Sequence, residues 1–272
     1  MIVFPNCKIN LGLNIIRKRK DNYHDIETVF YPLDFKDALE IVANKNNRNE
    51  FTVTGLPVAN TENNLCRKAY NLLKRDYPQL PCVKMHLHKS IPIGAGLGGG
   101  SADAAFTLKI LKEKFLTDLS MSQLNMYALQ LGSDCPFFLH NQPCLASGRG
   151  EHSAPISIDL SSYKIMLINP GIQIDTSWAF GKIEPADPAT SIRDIITQPV
   201  ETWKADLMND FERVIFENYP EIKKIKEILY KAGAMYASLS GSGSTVYGIF
   251  NNTSSLQTQL FNDYFVRIIN LK

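Results

Sequence analysis

The chain has 272 residues, of which 44% are hydrophobic and 21% charged, and its net charge is +2. This balance is typical of a soluble globular protein of one large or two ordinary domains, and it gives no bulk electrostatic reason to expect nucleic acid or an acidic membrane as a partner. The five cysteines are scattered without a Cys-x-x-Cys pair, which predicts reduced thiols in a cytoplasmic protein. No run of 18 apolar residues occurs, so no membrane span is expected.

Hydrophobic periodicity predicts a mixed order of strands and helices. Residues 8–16 alternate between apolar and polar side chains, so they form a half-buried strand with Lys8 and Asn10 on one face. The other predicted strands cover residues 26–31, 38–42, 51–54, 83–89, 164–169, 235–239, 245–250 and 265–269. The predicted helices cover residues 64–77, 101–114, 122–131 and 254–262.

The order of these elements lacks a regular βαβ alternation, which favours an α+β fold over a doubly wound sheet. Residues 147–155 are polar and typical of turns, so we predict a domain boundary near residue 155, with domains at 1–155 and 156–272. Ser101 is expected to be the N-cap of the helix that it begins.

The segment from Pro92 to Ala102 carries five glycines in seven positions, between a predicted strand and a predicted helix. Glycine allows another molecule to approach closely, and N–H groups at the start of a helix bind anions. The segment lies too far along the chain for a dinucleotide-binding turn, and it lacks the lysine of a Walker loop. A flexible linker is the remaining alternative, but Ala95 and Leu97 are not typical linker residues. The segment therefore predicts a phosphate-binding loop.

Three segments, in this order, resemble the motifs of the GHMP kinases (galactokinase, homoserine, mevalonate and phosphomevalonate kinases). They are Pro-Asn-Cys-Lys-Ile-Asn-Leu at 5–11, the glycine loop with its helix at 92–105, and Leu-Ser-Gly-Ser-Gly-Ser at 239–244. Residues 22–25 (Asn-Tyr-His-Asp) and 131–136 (Leu-Gly-Ser-Asp-Cys-Pro) are similar to one branch of this family.

Members of that branch use ATP to phosphorylate the 2-hydroxyl of a CDP-linked methylerythritol in the non-mevalonate route to isoprenoids. The resemblance implies an α+β, two-domain GHMP kinase fold, with an N-terminal ribosomal-protein-like βαβ domain and a C-terminal ferredoxin-like α/β sandwich domain. The chain departs from the family where Asn22 replaces a glycine, although asparagine tolerates the left-handed conformation well. Ala102 replaces a serine, which weakens any role of a second hydroxyl on phosphate or metal.

The resemblance assigns the chemistry to Lys8 and Asp134. Asp134 is expected to take the proton of the substrate hydroxyl, and Lys8 to keep the carboxylate ionised and polarise the hydroxyl. The residues alone leave alternatives open: Asp134 could cap the turn before Pro136, and Lys8 could be an exposed strand lysine.

The resemblance also implies two sets of binding residues and a Mg²⁺ ion that ATP brings to Ser101. The expected ATP contacts are Pro92, Ile93, Gly94, Ala95, Gly96, Leu97, Gly98, Gly99, Gly100, Ser101, Ala102, Lys89 and Asn64. The expected substrate contacts are Asn10, Tyr23, His24, Thr176, Phe180, Gly241 and Ser242.

In this assignment Tyr23 and Phe180 stack on the cytosine, and His24 contacts its edge. Asn64 could instead be a helix N-cap, Phe180 a core residue, and residues 241–244 a hairpin turn.

Two other functions remain compatible with the sequence. Another GHMP kinase (mevalonate, phosphomevalonate or homoserine kinase) would not recognise cytidine, and a non-catalytic RNA-binding module would share the topology of the N-terminal half. The near-neutral charge argues against RNA. We expect as partners the small-molecule substrate and ATP, no nucleic acid, no membrane, and a monomer or weak homodimer.

Overall fold

The structure of the protein, a computed structural model, describes residues 1–58 and 61–271. The strands are β1 (Ile2–Val3), β2 (Asn6–Lys18), β3 (His24–Lys36), β4 (Ala38–Ala43), β5 (Glu50–Gly55), β6 (Val83–Lys89), β7 (Cys144–Gly148), β8 (His152–Pro155), β9 (Tyr163–Asn169), β10 (Tyr236–Leu239), β11 (Val246–Asn251) and β12 (Phe265–Asn270). The α-helices are α1 (Leu65–Asp76), α2 (Gly99–Phe115), α3 (Met121–Leu131), α4 (Cys135–His140), α5 (Thr176–Gly181), α6 (Ile192–Ile196), α7 (Trp203–Asp206), α8 (Phe211–Asn218) and α9 (Pro220–Lys231). Short 3₁₀ turns cover Val200–Thr202 and Thr258–Phe261.

The chain divides into two compact units, and each is built from several stretches of sequence. The first unit comprises Met1–Cys7, Phe35–Ile93 and Gly98–Gln142. The second comprises Lys8–Asp34, Gly94–Leu97 and Pro143–Lys272. The domain boundary near residue 155 stays a prediction.

The first unit contains a sheet of order β1-β4-β6-β5 with helices α1 to α4. Strand β5 is parallel to β6, and the other pairs are antiparallel. Every second side chain of β6 is buried, from Val83 to Lys89, as expected for a strand with one covered face. The last of these buried positions is therefore occupied by a lysine.

Helix α2 begins two residues before the predicted start. Gly98 is its N-cap residue and has φ +69°, in the left-handed region, where glycine is not strained. Because the chain enters the helix there, Ser101 lies in the first turn, and the prediction that Ser101 is the N-cap was wrong.

The second unit contains two antiparallel sheets, of order β2-β3-β7-β8 and β10-β11-β9-β12. Its core includes Phe211 of α8, Ile225 of α9 and Ile168, Val246 and Phe250 of the second sheet. Burial of these side chains supplies most of the free energy that holds helices to a sheet.

Two sequence interpretations in this unit were wrong. Residues 147–155 were predicted to be turn-rich, but they include most of the β7–β8 hairpin. This hairpin pairs with β3 through β7, and a polar sequence does not reveal such a pairing. The predicted helix at 254–262 is a 3₁₀ turn at Thr258–Phe261, of which only Phe261 is buried. One buried side chain does not give a helix the apolar stripe that it needs.

In the part of the chain that the structure describes, no helix combines the length and the apolar character needed to cross a bilayer.

Candidate active site

In the second unit, the carbonyl groups of Ala95, Gly96 and Leu97 in the glycine loop accept hydrogen bonds from other parts of the unit. Ser240 Oγ donates to Gly96 O at 2.8 Å, and the backbone N–H of Lys8 donates to Leu97 O at 3.0 Å. These partners come from distant parts of the chain, and Leu97 is buried. The loop is therefore an ordered part of the unit, and the linker alternative is wrong.

Two glycines of this loop have positive φ but different surroundings. A Cβ atom on Gly96 (φ +77°) would lie 1.9 Å from Ser240 O and 3.1 Å from Gly243 O. A Cβ atom on Gly94 (φ +64°) would have no described atom within 4 Å. The close packing of backbone against backbone at Gly96 therefore requires glycine for space as well as for φ.

Strand β2 carries Lys8 and Asn10 on one face, as predicted, and both are buried. Lys8 Nζ donates to Asn10 Oδ1 at 2.6 Å and lies 4.9 Å from the centroid of the Phe30 ring. Asn10 Nδ2 donates to Thr28 Oγ1 at 2.9 Å, and Thr28 Oγ1 donates to Gly12 O at 2.6 Å. The exposed-lysine alternative is therefore wrong, and the ammonium group is held in place by buried polar contacts.

Tyr23 and His24 follow a turn in which Asn22 has φ +65°, so asparagine keeps the left-handed turn, as expected. The Tyr23 side chain is 51% exposed, whereas His24 is buried. Burial lowers the pKa of His24, and the charge of Lys18 lowers it further. The imidazole is therefore neutral at pH 7 and has one donor and one acceptor nitrogen.

Phe180 on α5 stacks on His24, with ring centroids 4.9 Å apart and an angle of 12° between the rings. Its ring also meets Phe211 edge-on at 4.9 Å, and it packs against the core of the second unit. Phe180 is therefore a partly buried residue at the edge of this core, which agrees in part with the core-residue alternative. Its contact with a base stays a prediction.

The turn between β10 and β11 meets two other predicted substrate residues. Thr176 Oγ1 lies 2.9 Å from Ser242 Oγ, and a Cβ atom on Gly241 would lie 3.5 Å from Asn10 Oδ1. Leu239 pairs with Val246 across the turn, which confirms the hairpin. The second unit thus brings Asn10 together with Gly241, and Thr176 together with Ser242.

In the first unit, Lys89 lies between two buried carboxylates. Its Nζ donates to Asp37 Oδ2 and, at 2.8 Å, to Asp103 Oδ2. Asp37 Oδ1 also accepts the backbone N–H groups of Ser90 at 2.6 Å and Ile91 at 2.9 Å. Asp37 therefore fixes the backbone that enters the glycine segment, and Lys89 connects it to the first turns of α2.

This cluster holds two carboxyl groups for one ammonium group. Burial raises the pKa of Asp103 to about 7; the charge of Lys89 opposes this rise and that of Asp37 adds to it. Burial acts to lower the pKa of Lys89, but the two carboxylates outweigh it and raise that pKa. Within the described residues Asp103 Oδ1 is buried and has no hydrogen-bond partner, so the ionised form of Asp103 is incompletely compensated.

Sequence reasoning missed Asp37 and Asp103. A signal was available, because Lys89 follows Val83, Met85 and Leu87 at the buried positions of one strand, and a buried lysine needs buried acceptors. The predicted contact of Lys89 with ATP stays a prediction. Asn64 Oδ1 accepts the backbone N–H of Cys66 at 2.8 Å, so Asn64 is the N-cap of α1, and its ATP contact likewise stays a prediction.

The start of α2 leaves backbone donors for an anion. In the described chain no side chain caps this helix at Gly98, so the first N–H groups have neither a helical partner nor a capping one. A Cβ atom on Gly99 would lie 2.9 Å from Ile91 Cγ2, so the glycine also lets the helix pack closely on the segment that follows β6. A helix start with these properties fits a phosphate group.

Asp134 follows α3, in a turn that meets the start of α2. A Cβ atom on Gly132 would lie 3.8 Å from Ser101 Oγ, so the turn of residues 132–135 meets the first turn of α2. Asp134 is half-buried and is the N-cap residue of α4, but its side chain makes no capping hydrogen bond to that helix among the described residues. The role of Asp134, catalytic or structural within this turn, stays a prediction.

The comparisons with known proteins cover both halves of the chain. Residues 64–142 match the GHMP kinases N terminal domain, and residues 194–263 match the GHMP kinases C terminal domain. A protein from Parabacteroides distasonis named 4-diphosphocytidyl-2-C-methyl-D-erythritol kinase is 48% identical over 268 residues, which are 98% of this chain and 98% of that protein. The chain belongs to the GHMP kinases, in the branch of the 4-diphosphocytidyl-2-C-methyl-D-erythritol kinases.

Two solved structures support the fold of this GHMP kinase. A crystal structure of 4-(cytidine 5'-diphospho)-2C-methyl-D-erythritol kinase superposes with a TM-score of 0.78 at 29% identity, over 91% of this chain and 89% of the other. A crystal structure of the mevalonate kinase from Methanococcus jannaschii superposes with a TM-score of 0.73 at 14% identity, over 99% of this chain and 96% of the other. At this identity the likeness shows the fold alone. The α+β, two-domain fold and the ATP-dependent small-molecule kinase activity predicted from the sequence are therefore confirmed.

We expect Gly96→Ala to lower both stability and activity, because a Cβ atom there meets backbone at 1.9 Å. Gly94→Ala is the matched control: it has a similar φ but an open environment, so it should cost only about 1 kcal/mol of left-handed strain. Thermal unfolding and coupled ADP release should both rank Gly96→Ala well below Gly94→Ala. Equal behaviour of the two variants would contradict the packing described for the loop.

The raised pKa of Asp103 predicts a pH dependence of stability. Between about pH 4, where the unfolded carboxyl titrates, and about pH 7, the folded chain holds a proton that the unfolded chain releases. The free energy of unfolding should therefore fall as pH rises through this window. Asp103→Asn should flatten that fall in urea denaturation.

Asp76→Asn is the control for this measurement. The pKa of Asp76 is lowered to about 2, first by Arg75 and then by Tyr127, so its titration affects stability below about pH 4. A slope between pH 4 and 7 that persists in Asp103→Asn but disappears in Asp76→Asn would show that the titrating group is misassigned.

Proposed function

We propose that this chain transfers the γ-phosphoryl group of ATP to the 2-hydroxyl of 4-diphosphocytidyl-2-C-methyl-D-erythritol. The observation that carries this proposal is the identity of 48% with the Parabacteroides distasonis kinase over 98% of both chains. The residues expected to perform the reaction are present, and the structure gives several of them defined surroundings. Mevalonate, phosphomevalonate and homoserine kinase activities and RNA binding are not favoured.

Lys8 supplies positive charge for the transfer. Phosphoryl transfer develops negative charge on the oxygens around the transferred phosphorus, and a fixed cation in a buried site stabilises it more than a mobile one in water. The contacts of Lys8 with Asn10 and the Phe30 ring support this role, because they hold a buried ammonium group in a defined position.

Asp134 accepts the proton of the acceptor hydroxyl. A carboxylate within hydrogen-bond reach of that hydroxyl lowers the barrier as the O–H bond is broken. The half-buried position of Asp134, in a turn that meets the first turn of α2, supports the assignment.

The first turn of α2 holds the phosphate groups of ATP through its N–H groups, and Ser101 lies within that turn. Among residues 1–58 and 61–271 no three His, Cys, Asp or Glu side chains are grouped to hold a metal ion. A Mg²⁺ ion fits such a donor set when phosphate oxygens and water supply most of its ligands, with the Ser101 hydroxyl as a protein ligand. When bound, Mg²⁺ neutralises charge on the phosphates.

The cytidine end of the substrate is bound in the second unit. His24 is neutral and its ring orientation is set by Phe180, so it can donate to and accept from the edge of a base. Tyr23 is half-exposed and offers a ring on which a base can stack. A monomer or weak homodimer in the cytoplasm stays the expectation from the sequence.

We expect Asp134→Asn to reduce ADP release in the presence of the CDP-linked substrate by about 10²- to 10⁴-fold, because the amide does not accept the proton. Binding of ATP, measured by calorimetry, should be unchanged within about twofold. Asp118→Asn, an exposed change in the same unit, is the control. A fully active Asp134→Asn enzyme would remove the assigned base.

We expect His24→Ala to raise the KM for the CDP-linked substrate by about tenfold, since one hydrogen bond to the base edge and the support of Phe180 are lost. The KM for ATP should not change. His88→Ala, an exposed histidine of the first unit, should match the parent enzyme. If His24→Ala leaves the KM for the cytidine substrate unchanged, the cytidine subsite is not at this residue.

A further inference from the structure

The turn between β7 and β8 carries an arginine that no motif pointed to. Arg149 lies in this turn, and the centre of its guanidinium group lies 4.6 Å from the centroid of the Tyr23 ring. The register of the sheet explains the contact, because Gly148 on β7 pairs with Ile26 on β3. The next residues of the turn therefore lie alongside the start of β3, and Tyr23 immediately precedes that strand.

The guanidinium group lies near a carboxylate of the same turn, although among the described residues Arg149 Nε makes no hydrogen bond. Arg149 Nε lies 3.5 Å from Glu151 Oε1, and Glu151 Oε2 accepts the backbone N–H of Arg149. Burial acts to raise the pKa of Glu151, but backbone N–H groups and the charge of Arg149 outweigh it, so the pKa is lowered and the carboxylate is ionised. The ion pair therefore persists at neutral pH.

The backbone of the turn is built around that carboxylate. Gly148 has φ +68°, and a Cβ atom on it would lie 2.7 Å from Glu151 Oε2. The Arg149 side chain is 26% exposed and the Glu151 side chain 12%. Arg149 is thus a largely covered side chain, unlike a long arginine that extends into solvent.

Tyr23 is the opposite case, because its side chain is 51% exposed. A cation over one face of an aromatic ring is attracted by the negative face of the π-system. Arg149 therefore covers one face of Tyr23 and restricts the ring, while a large part of the ring remains open to solvent. A ring restricted in this way loses less entropy when a base stacks on its other face.

We propose that Arg149 is a positioning residue for the nucleoside end of the substrate: it backs the ring of Tyr23, so that the cytosine of the cytidine diphosphate group stacks on the opposite face. This inference rests on the proposed function. Arg149 acts through Tyr23, and its effect belongs to binding of the cytidine substrate rather than to the transfer step.

The test uses Arg149→Met, which keeps the length of the side chain but removes its charge and plane. We expect the KM for the CDP-linked substrate to rise about fivefold to tenfold, as loss of a partly desolvated cation–π contact predicts. The kcat and the KM for ATP should stay within about twofold. Arg149→Lys should recover part of the loss, because it restores the cation without the planar contact.

Arg48→Met is the matched control. Arg48 also pairs with a glutamate two residues further along, with Nε 2.8 Å from Glu50 Oε1, but it lies in the first unit and its side chain is 71% exposed. In this variant the KM for the CDP-linked substrate, the KM for ATP and the kcat should equal those of the parent enzyme.

A double-mutant cycle with Tyr23→Leu separates positioning from a direct contact. If Arg149 acts through the ring, Arg149→Met should have no further effect on the KM of Tyr23→Leu. The inference would be overturned if the two substitutions raised the KM independently, so that the increase in the double variant is the product of the two single increases. It would also be overturned if Arg149→Met lowered the KM, since the arginine would then obstruct the base. Titration with CDP, monitored by calorimetry, compares the affinities of the same variants for the nucleotide without turnover. If Arg149→Met does not fold, Arg149→Lys takes its place in this titration.

Measurements on the parent enzyme distinguish a wrong substrate from a wrong role of Arg149. A parent enzyme that does not release ADP with the CDP-linked substrate would remove the proposed function. A parent enzyme that does so, with Arg149→Met unchanged in KM and in CDP binding, would remove only the role of Arg149.

Discussion

The buried ion cluster of Lys89, Asp37 and Asp103 is the constraint on which the first unit depends. A lysine at a covered position of β6 must lose its hydration, which is tolerated only when carboxylates replace the water. Asp37 also binds the backbone N–H groups of Ser90 and Ile91, and Asp103 belongs to the first turns of α2. One set of charges therefore fixes the chain before the glycine segment and the helix after it.

In the second unit, residues 94–97 of the glycine segment are held in place by backbone contacts. The carbonyl of Gly96 accepts from Ser240, and a side chain at Gly96 would strike the carbonyl of Ser240. The carbonyl groups of this segment accept hydrogen bonds from other parts of the unit, so the segment is held without a charged side chain of its own. The position of the loop is thus determined by contacts that are remote in sequence.

Much of the fold followed from local patterns. The alternation in β2 and the apolar stripe of α1 are strong signals, since each repeats with the period of its element. The start of α2 was misplaced because Gly98, and not Ser101, ends the left-handed approach to the helix. The β7–β8 hairpin was missed because its stability comes from pairing with β3, which a local pattern does not contain.

By itself the sequence determined the family, the glycine segment that precedes α2, and the shared face of Lys8 and Asn10, because motif spacing and strand periodicity are properties of neighbouring residues. Only the tertiary structure decided that Lys8 is buried, that Lys89 is neutralised by Asp37 and Asp103, and that Arg149 covers Tyr23. Burial and ion pairing depend on which distant residues the sheets bring together, and this is not encoded in any single stretch of the chain.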